Sequence, residues 1–126
     1  MRAKVETSEA PQAIGPYSQA IKANGFLFIS GQIPLDPKSG QMTATDVVAQ
    51  TNQVMENLKA ILDCEQLTFA DVVKTTIFLT DLTDFGRVNE AYGGYFESDP
   101  PARATVQAAA LPKGARIEIE AVAALR

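Results

Sequence analysis

Two charged residues near the C-terminus, Arg103 and Glu118, are the strongest candidates for chemistry in this chain. The guanidinium of an arginine offers a fork of hydrogen-bond donors that matches a carboxylate. A glutamate at a cleft can hold and polarise a water molecule and act as a general acid or base. On spacing alone, Arg103 is more typical of an interface or surface ion-pair residue than of a catalytic one. A lone glutamate on a strand indicates equally little.

The segments that carry these two residues have the alternating pattern of β-strands. Apolar and polar residues alternate over residues 103–110 and again over 117–125, and a short connection with proline and glycine joins them. Strands joined so closely usually run antiparallel, either as neighbours or one strand apart. This arrangement predicts that Arg103 and Glu118 lie at levels about six residues apart, roughly 20 Å at ~3.3 Å per residue. One chain cannot easily bring them together, which favours a site shared between subunits.

Composition excludes several classes of function. The 126 residues suit one domain, 1–126, with a hydrophobic core. The chain has no histidine and one cysteine, Cys64, so it offers no histidine base, no plausible zinc site and no intrachain disulfide. The net charge of −4 argues against a nucleic-acid surface. Without a signal-like N-terminus or an apolar run of ~20 residues, we expect a cytoplasmic protein that does not enter membranes.

The periodicity of the chain predicts alternating strands and helices. Asn24-Gly25 is typical of a hairpin turn, and the apolar run from Phe26 to Ile29 indicates a strand buried on both faces. The predicted elements, in order, are an edge strand or arm (1–12), two strands (20–30), a loop (32–42), a helix from Thr43 to Cys64 capped by Thr43 or Thr45, a long strand (71–82), a helix capped by Asp84 with an apolar stripe to Phe96, and the two C-terminal strands.

This order of elements favours a two-layer α+β domain. Two amphipathic helices can cover only one face of the sheet. The other face still carries apolar residues, so another subunit or partner is needed to bury it.

Several short motifs, in register along nearly the whole chain, resemble the RidA family (also called the YjgF/YER057c/UK114 family). Each motif alone would be weak, but together they are specific. They are the segment 13–20 (AIGPYSQA), the segment 29–34 (ISGQIP), the segment 73–82 (VKTTIFLTDL), and Pro101-Ala102-Arg103 with Leu111-Pro112 and the segment 117–120 (IEIE).

The resemblance implies a fold, an assembly and an activity. The fold would be chorismate-mutase-like, a mixed sheet with two helices on one face, and three subunits would close their sheets around an axis as a homotrimer. The activity would be that of a 2-iminobutanoate/2-iminopropanoate deaminase, which hydrolyses a small 2-imino acid substrate, or the related 2-enamine, to a 2-keto acid and ammonia. Neither a metal nor an organic cofactor would be needed, since the imine is already electrophilic.

The resemblance also implies roles for individual residues in a pocket between adjacent subunits. Without it, Tyr17 is an ordinary packing residue, Gly31 an ordinary strand end and Asn89 a solvent-facing residue. Thr105 stands where many members have a cysteine, which leaves the substrate open. The implied catalytic residues are Arg103, Glu118 and Tyr17, and the implied substrate-binding residues are Arg103, Ser30, Gly31, Asn89 and Thr105.

Two alternative functions belong to other classes. One is a non-catalytic binder that uses Arg103 to sense small carboxylates. The other is a ribonuclease or translation inhibitor, a label attached to some relatives, which the net negative charge and the 11 basic residues disfavour.

Overall fold

The computed structural model describes residues 1–126 and contains one six-stranded sheet with strand order β1-β2-β3-β6-β4-β5. Short 3₁₀ turns at Phe69–Asp71, Leu82–Asp84 and Pro112–Gly114 connect parts of the chain. The strands and helices are β1 (Arg2–Val5), β2 (Ala20–Ala23), β3 (Phe26–Gln32), α1 (Val47–Cys64), β4 (Val72–Leu79), α2 (Phe85–Gly93), β5 (Ala102–Gln107) and β6 (Ile117–Ala124).

The sheet is mixed, as the family resemblance implies. β4 and β5 run parallel, and every other neighbouring pair runs antiparallel. The hairpin between β2 and β3 turns at Asn24-Gly25, where both residues have positive φ angles of 52° and 83°. β5 and β6 flank β4 on its two sides, so the predicted antiparallel direction is confirmed, and of the two arrangements left open the structure has the one with a strand in between.

The hydrophobic core lies between the sheet and the two helices. Leu58, Ile61 and Leu62 project from α1 with at most 1% of their surface exposed, and Ile117 and Ile119 of β6 are fully buried beneath the helices. Complete burial of one such side chain contributes about 1.5–3 kcal/mol to stability. The core therefore fixes β6, the strand that carries Glu118, at the centre of the sheet.

The sheet face opposite the helices is open in the single chain. Phe26 and Phe28 of β3 point to this face and are 40% and 46% exposed, while Leu27 and Ile29 are buried against the helices. The prediction that β3 is buried on both faces is therefore wrong for the isolated chain. The apolar run is continuous because both faces carry large side chains, although the helices cover only one of them.

The first helix starts later than predicted. Its N-cap is Asp46, whose carboxylate accepts a hydrogen bond of 3.0 Å from the Ala49 N–H, so neither Thr43 nor Thr45 caps the helix. The residues before Asp46 are held by tertiary bonds instead. The Gln50 side chain donates to the Ala44 carbonyl at 2.9 Å, and the Arg116 guanidinium donates to the Thr45 carbonyl at 3.1 Å.

Asp84 occupies the N-cap position of α2, as the sequence predicts, but its side chain does not cap the helix. Its buried carboxylate accepts hydrogen bonds from Arg87 and Arg116, each at 2.8 Å, and makes none to the helix backbone. Asp81 instead caps the 3₁₀ turn that precedes the helix by accepting a bond from the Thr83 N–H. α2 then ends at Gly93, which agrees with the helix-breaking glycine pair but is shorter than the apolar stripe suggests.

Candidate functional site

The guanidinium of Arg103 is held on the helix side of the sheet, over the outer surface of α2. Its Nη1 donates a 2.7 Å hydrogen bond to the side-chain oxygen of Asn89. Its Cζ lies 5.3 Å from the ring centre of Tyr92 and 5.5 Å from that of Phe85. Each exposed cation–π contact of this kind contributes about 0.5–1 kcal/mol. The side chain is therefore oriented before any ligand binds.

The platform under Arg103 follows from helical spacing. Phe85, Asn89 and Tyr92 are four and three residues apart, so α2 presents all three on one face. The Tyr92 hydroxyl shares a 2.7 Å hydrogen bond with the hydroxyl of Thr75 on β4, which fixes the ring against the sheet. Burial raises the pKa of Tyr92, so the hydroxyl stays neutral at physiological pH.

No carboxylate within the chain lies within ion-pair distance of Arg103. The guanidinium has five N–H donors, and one of them is used by Asn89. The others are available to a ligand. A planar fork with free donors is the group that binds a carboxylate most specifically.

Thr105 follows Arg103 by two residues on β5 and faces the same side of the sheet. Its hydroxyl oxygen is the only buried side-chain nitrogen or oxygen in the chain without a hydrogen-bond partner. A buried hydroxyl without a partner costs about 1–3 kcal/mol of stability. Thr105 therefore holds unused hydrogen-bonding capacity beside the guanidinium.

Glu118 lies on the open face of the sheet, at the second position of β6. No lysine or arginine is within ion-pair distance of its carboxylate. Burial raises the pKa of Glu118, and the negative charge of Glu120 on the same face raises it further. A carboxylate with a raised pKa is a stronger base than an ordinary glutamate and is suited to accept and return a proton.

Ser30 and Gly31 lie beside Glu118, where β3 meets β6. The pairing of β3 with β6 shifts register between Ile29 and Gln32, which places Ser30 and Gly31 in an irregular stretch of the strand. The carboxylate of Glu118 packs directly over the backbone of Gly31. The Ser30 hydroxyl donates a 2.6 Å hydrogen bond to the carbonyl of Ser18.

Tyr17 projects from the loop before β2 with 54% of its surface exposed. The loop is anchored because the Ser30 N–H donates to the Gln19 carbonyl and the buried Gln19 side chain donates to the Pro11 carbonyl at 2.8 Å. Tyr17 and Ser30 both line an open cavity of about 650 Å³ on the exposed sheet face. Phe28 and Glu120 contribute to the same cavity.

The structure thus sorts the predicted site residues into two groups on opposite faces of the sheet. On β4, Thr75 pairs with Arg103 and Phe78 pairs with Glu118, so the two residues are about three residues, or 10 Å, apart along the strands. The predicted separation of about six residues is wrong. The arginine group consists of Arg103, Asn89 and Thr105, and the glutamate group consists of Glu118, Gly31 and Ser30. Tyr17 shares a cavity with Ser30 on the same face, but Glu118 does not line that cavity.

Residues that sequence reasoning missed are Phe85 and Tyr92, which support the guanidinium, and Glu120, which acts on the pKa of Glu118. The spacing of these three residues in the sequence could have indicated their positions beside the site. Phe85 and Tyr92 flank Asn89 on one helical face, and Glu120 follows Glu118 by two residues on a strand. Both aromatic residues belong to the apolar stripe of this helix, a pattern that by itself predicts only core positions.

No helix has the length and apolar character needed to cross a membrane. No three or more His, Cys, Asp or Glu side chains come together in a way that could hold a metal ion.

A mixed sheet with two helices on one face and these two polar groups is the fold of the endoribonuclease L-PSP class. The family model described as "Endoribonuclease L-PSP" matches residues 7–125. The crystal structure of the YjgF gene product from E. coli superposes with a TM-score of 0.93 at 44% identity, covering 98% of this chain and 99% of that one. The chain belongs to this family, which is the RidA/YjgF family.

Curated relatives support the same assignment. The chain is 58% identical over 124 residues to Protein DfrA of Myxococcus xanthus, covering 97% of this chain and 95% of that protein. It is 51% identical over 123 residues to the 2-iminobutanoate/2-iminopropanoate deaminase of Homo sapiens, covering 98% of this chain and 90% of that protein. The family resemblance deduced from the motifs is therefore confirmed.

Proposed function

We propose that this protein hydrolyses small 2-imino acids, and the 2-enamine acids that tautomerise to them, to 2-keto acids and ammonia. The observation that carries the proposal is the free guanidinium of Arg103, oriented by Asn89 and by Tyr92 and left without a carboxylate partner. A 2-imino acid always carries a carboxylate next to the reacting carbon. Docking that carboxylate on Arg103 would fix the position of the C=N bond.

Glu118 supplies the acid–base chemistry in this proposal. Glu118 takes a proton from water as the water oxygen bonds to the imine carbon, and it passes that proton to the imine nitrogen, which gives a neutral carbinolamine. Glu118 then accepts the proton of the carbinolamine hydroxyl as the C=O bond forms and delivers it to the amine, so that the C–N bond breaks and ammonia leaves. One imine and one water give one 2-keto acid and one ammonia, with no redox step. Burial and the charge of Glu120 raise the pKa of Glu118, which makes its carboxylate a stronger base and supports this role.

Arg103 and Glu118 cannot serve one substrate within a single chain, because the sheet separates them. We therefore propose that the protein works as a homotrimer in which Arg103 of one subunit meets Glu118 of its neighbour. Arg103 lies on β5, an edge strand, so a neighbour docked along that edge can bring its open sheet face to the guanidinium. The exposed Phe28 and Val106 on the open face, 46% and 44% exposed, support burial against a second subunit.

The test is ammonia release from 2-iminobutanoate generated freshly in the assay. The wild-type protein should accelerate release, and Arg103→Ala should lose most of this acceleration while remaining folded, with only the small loss of thermal stability expected from its cation–π contacts. Tight binding of a 2-keto acid without acceleration would instead identify a carboxylate-binding regulatory protein. RNA binding that weakens steeply with salt, with no ammonia release, would favour the ribonuclease that the family description names.

A further inference from the structure

We infer that Gly31 positions the catalytic carboxylate: the position lacks a side chain because the carboxylate of Glu118 occupies the space that a side chain would fill. The inference rests on the proposed function for its catalytic consequence. It gives Gly31 a role in placing Glu118, separate from any contact between its backbone and a substrate.

The geometry at Gly31 is specific to Glu118. A Cβ built on Gly31 would lie 2.9 Å from the Glu118 Cδ and 3.1 Å from its Cγ, and it would overlap one carboxylate oxygen directly. The nearest atoms to this Cβ all belong to that one side chain. Gly31 is also not among the glycines with positive φ, such as Gly25 and Gly114. The backbone conformation therefore does not demand glycine here, whereas the space does.

The consequence of a side chain at position 31 follows from which atoms would have to move. The carboxylate is the far end of a flexible side chain, so Gly31→Ala can be accommodated by rotating Glu118 while the strands stay in place. The fold should survive, but the carboxylate would move by an ångström or more. Displacement of a reacting group by about 1 Å can cost about 100-fold in rate. A small structural change should thus have a large catalytic effect.

A double-mutant cycle between Gly31→Ala and Glu118→Asp tests the inference. Aspartate is one methylene shorter and withdraws the carboxylate from the space above residue 31. We expect Gly31→Ala to lower kcat at least tenfold in the wild-type background and less than threefold in the Glu118→Asp background. Gly86→Ala is the matched control, because a Cβ there meets no atom within 4 Å, and it should leave kcat unchanged.

A readout that does not depend on catalysis separates this inference from the proposed function. The Glu118 carboxyl can be titrated by carbon NMR in the wild type and in Gly31→Ala. Displacement towards solvent removes part of the burial that raises the pKa of Glu118, so the pKa should fall in the variant. An unchanged pKa, or an equal loss of kcat in both backgrounds, would overturn the role of Gly31. A wild-type protein that releases no ammonia would overturn the proposed function alone.

Discussion

The strongest prediction is that two inactive variants restore each other when they share a trimer. In the proposed mechanism, Arg103→Ala removes the group that docks the carboxylate, and Glu118→Gln removes the group that moves protons. Each variant should be nearly inactive alone. Because the two residues lie on opposite faces of one sheet, roughly 14 Å apart between their Cα positions, the proposed site takes Arg103 and Glu118 from different subunits.

The expected recovery can be calculated from the arrangement. In a ring of three subunits, each interface uses Arg103 from one subunit and Glu118 from the next. Any trimer that contains both variants has one interface at which an intact Arg103 meets an intact Glu118. Random equal mixing puts about three-quarters of the trimers in mixed form, with one of three sites restored in each, so activity should approach about a quarter of the wild-type value.

The assay is ammonia release after the two variants are unfolded and refolded together. Native mass spectrometry with one variant carrying a mass tag should confirm the mixed trimers. Each variant refolded alone, and then mixed without unfolding, serves as the control and should stay inactive. If mixed trimers form and activity does not return, either both residues act within one subunit or Glu118 is not catalytic. A single-chain mass at micromolar concentration would refute the assembly itself.

Three further predictions follow from the two polar groups. Arg103→Lys should lose most activity although its charge is kept, since an ammonium does not reproduce the bidentate fork, and near-normal turnover would refute carboxylate docking. As the pH is lowered, kcat/KM should fall at a pH above the usual glutamate range, because protonated Glu118 cannot accept a proton from water. Glu120→Gln removes a negative charge that raises the pKa of Glu118, so the fall in kcat/KM should move to lower pH. Thr105→Val should raise the free energy of unfolding in urea by about 1 kcal/mol, because it removes an unpaired buried hydroxyl, and a loss of stability would reveal a bonded partner.

The order of elements was predictable from the sequence, because periodicity and turn chemistry are local signals. The hairpin at Asn24-Gly25 and the antiparallel arrangement of β5 and β6 are examples. The ends of elements were less predictable, since tertiary contacts set them. α1 starts after Asp46 because Gln50 and Arg116 hold the carbonyls before it. Asp84 is a residue type that often caps helices, but its carboxylate accepts hydrogen bonds from two arginines instead, one of them 32 residues away.

The separation of Arg103 and Glu118 shows a similar limit. The alternation of Ala108 and Ala110 extends the strand pattern to residue 110, yet β5 ends at Gln107. The Ala108 N–H still donates to the Leu79 carbonyl, but the chain then turns towards Pro112 and the left-handed Lys113. Alanine has a low strand propensity because its small side chain packs weakly on a sheet. Alternating alanines therefore do not extend β5 beyond Gln107, where the chain begins to turn. The predicted distance was therefore about twice the observed one.

The structure offers another reason to expect that Arg103 and Glu118 of one chain do not act on one substrate. This reason is the face of the sheet on which each residue lies, and the alternation pattern of the sequence contains it. β4 links the two strands, and its alternation of buried Thr75, Ile77 and Leu79 with outward residues assigns each partner to a face. Paired residues on neighbouring strands share a face, so Arg103 follows Thr75 towards the helices and Glu118 follows Phe78 away from them. Long side chains can reach across a distance along a strand, but they cannot reach through the sheet that lies between Arg103 and Glu118. The faces on which Arg103 and Glu118 lie are thus a stronger argument for a shared site than their distance along the strands. The face of a strand residue can be assigned as soon as the strand that pairs with it is identified.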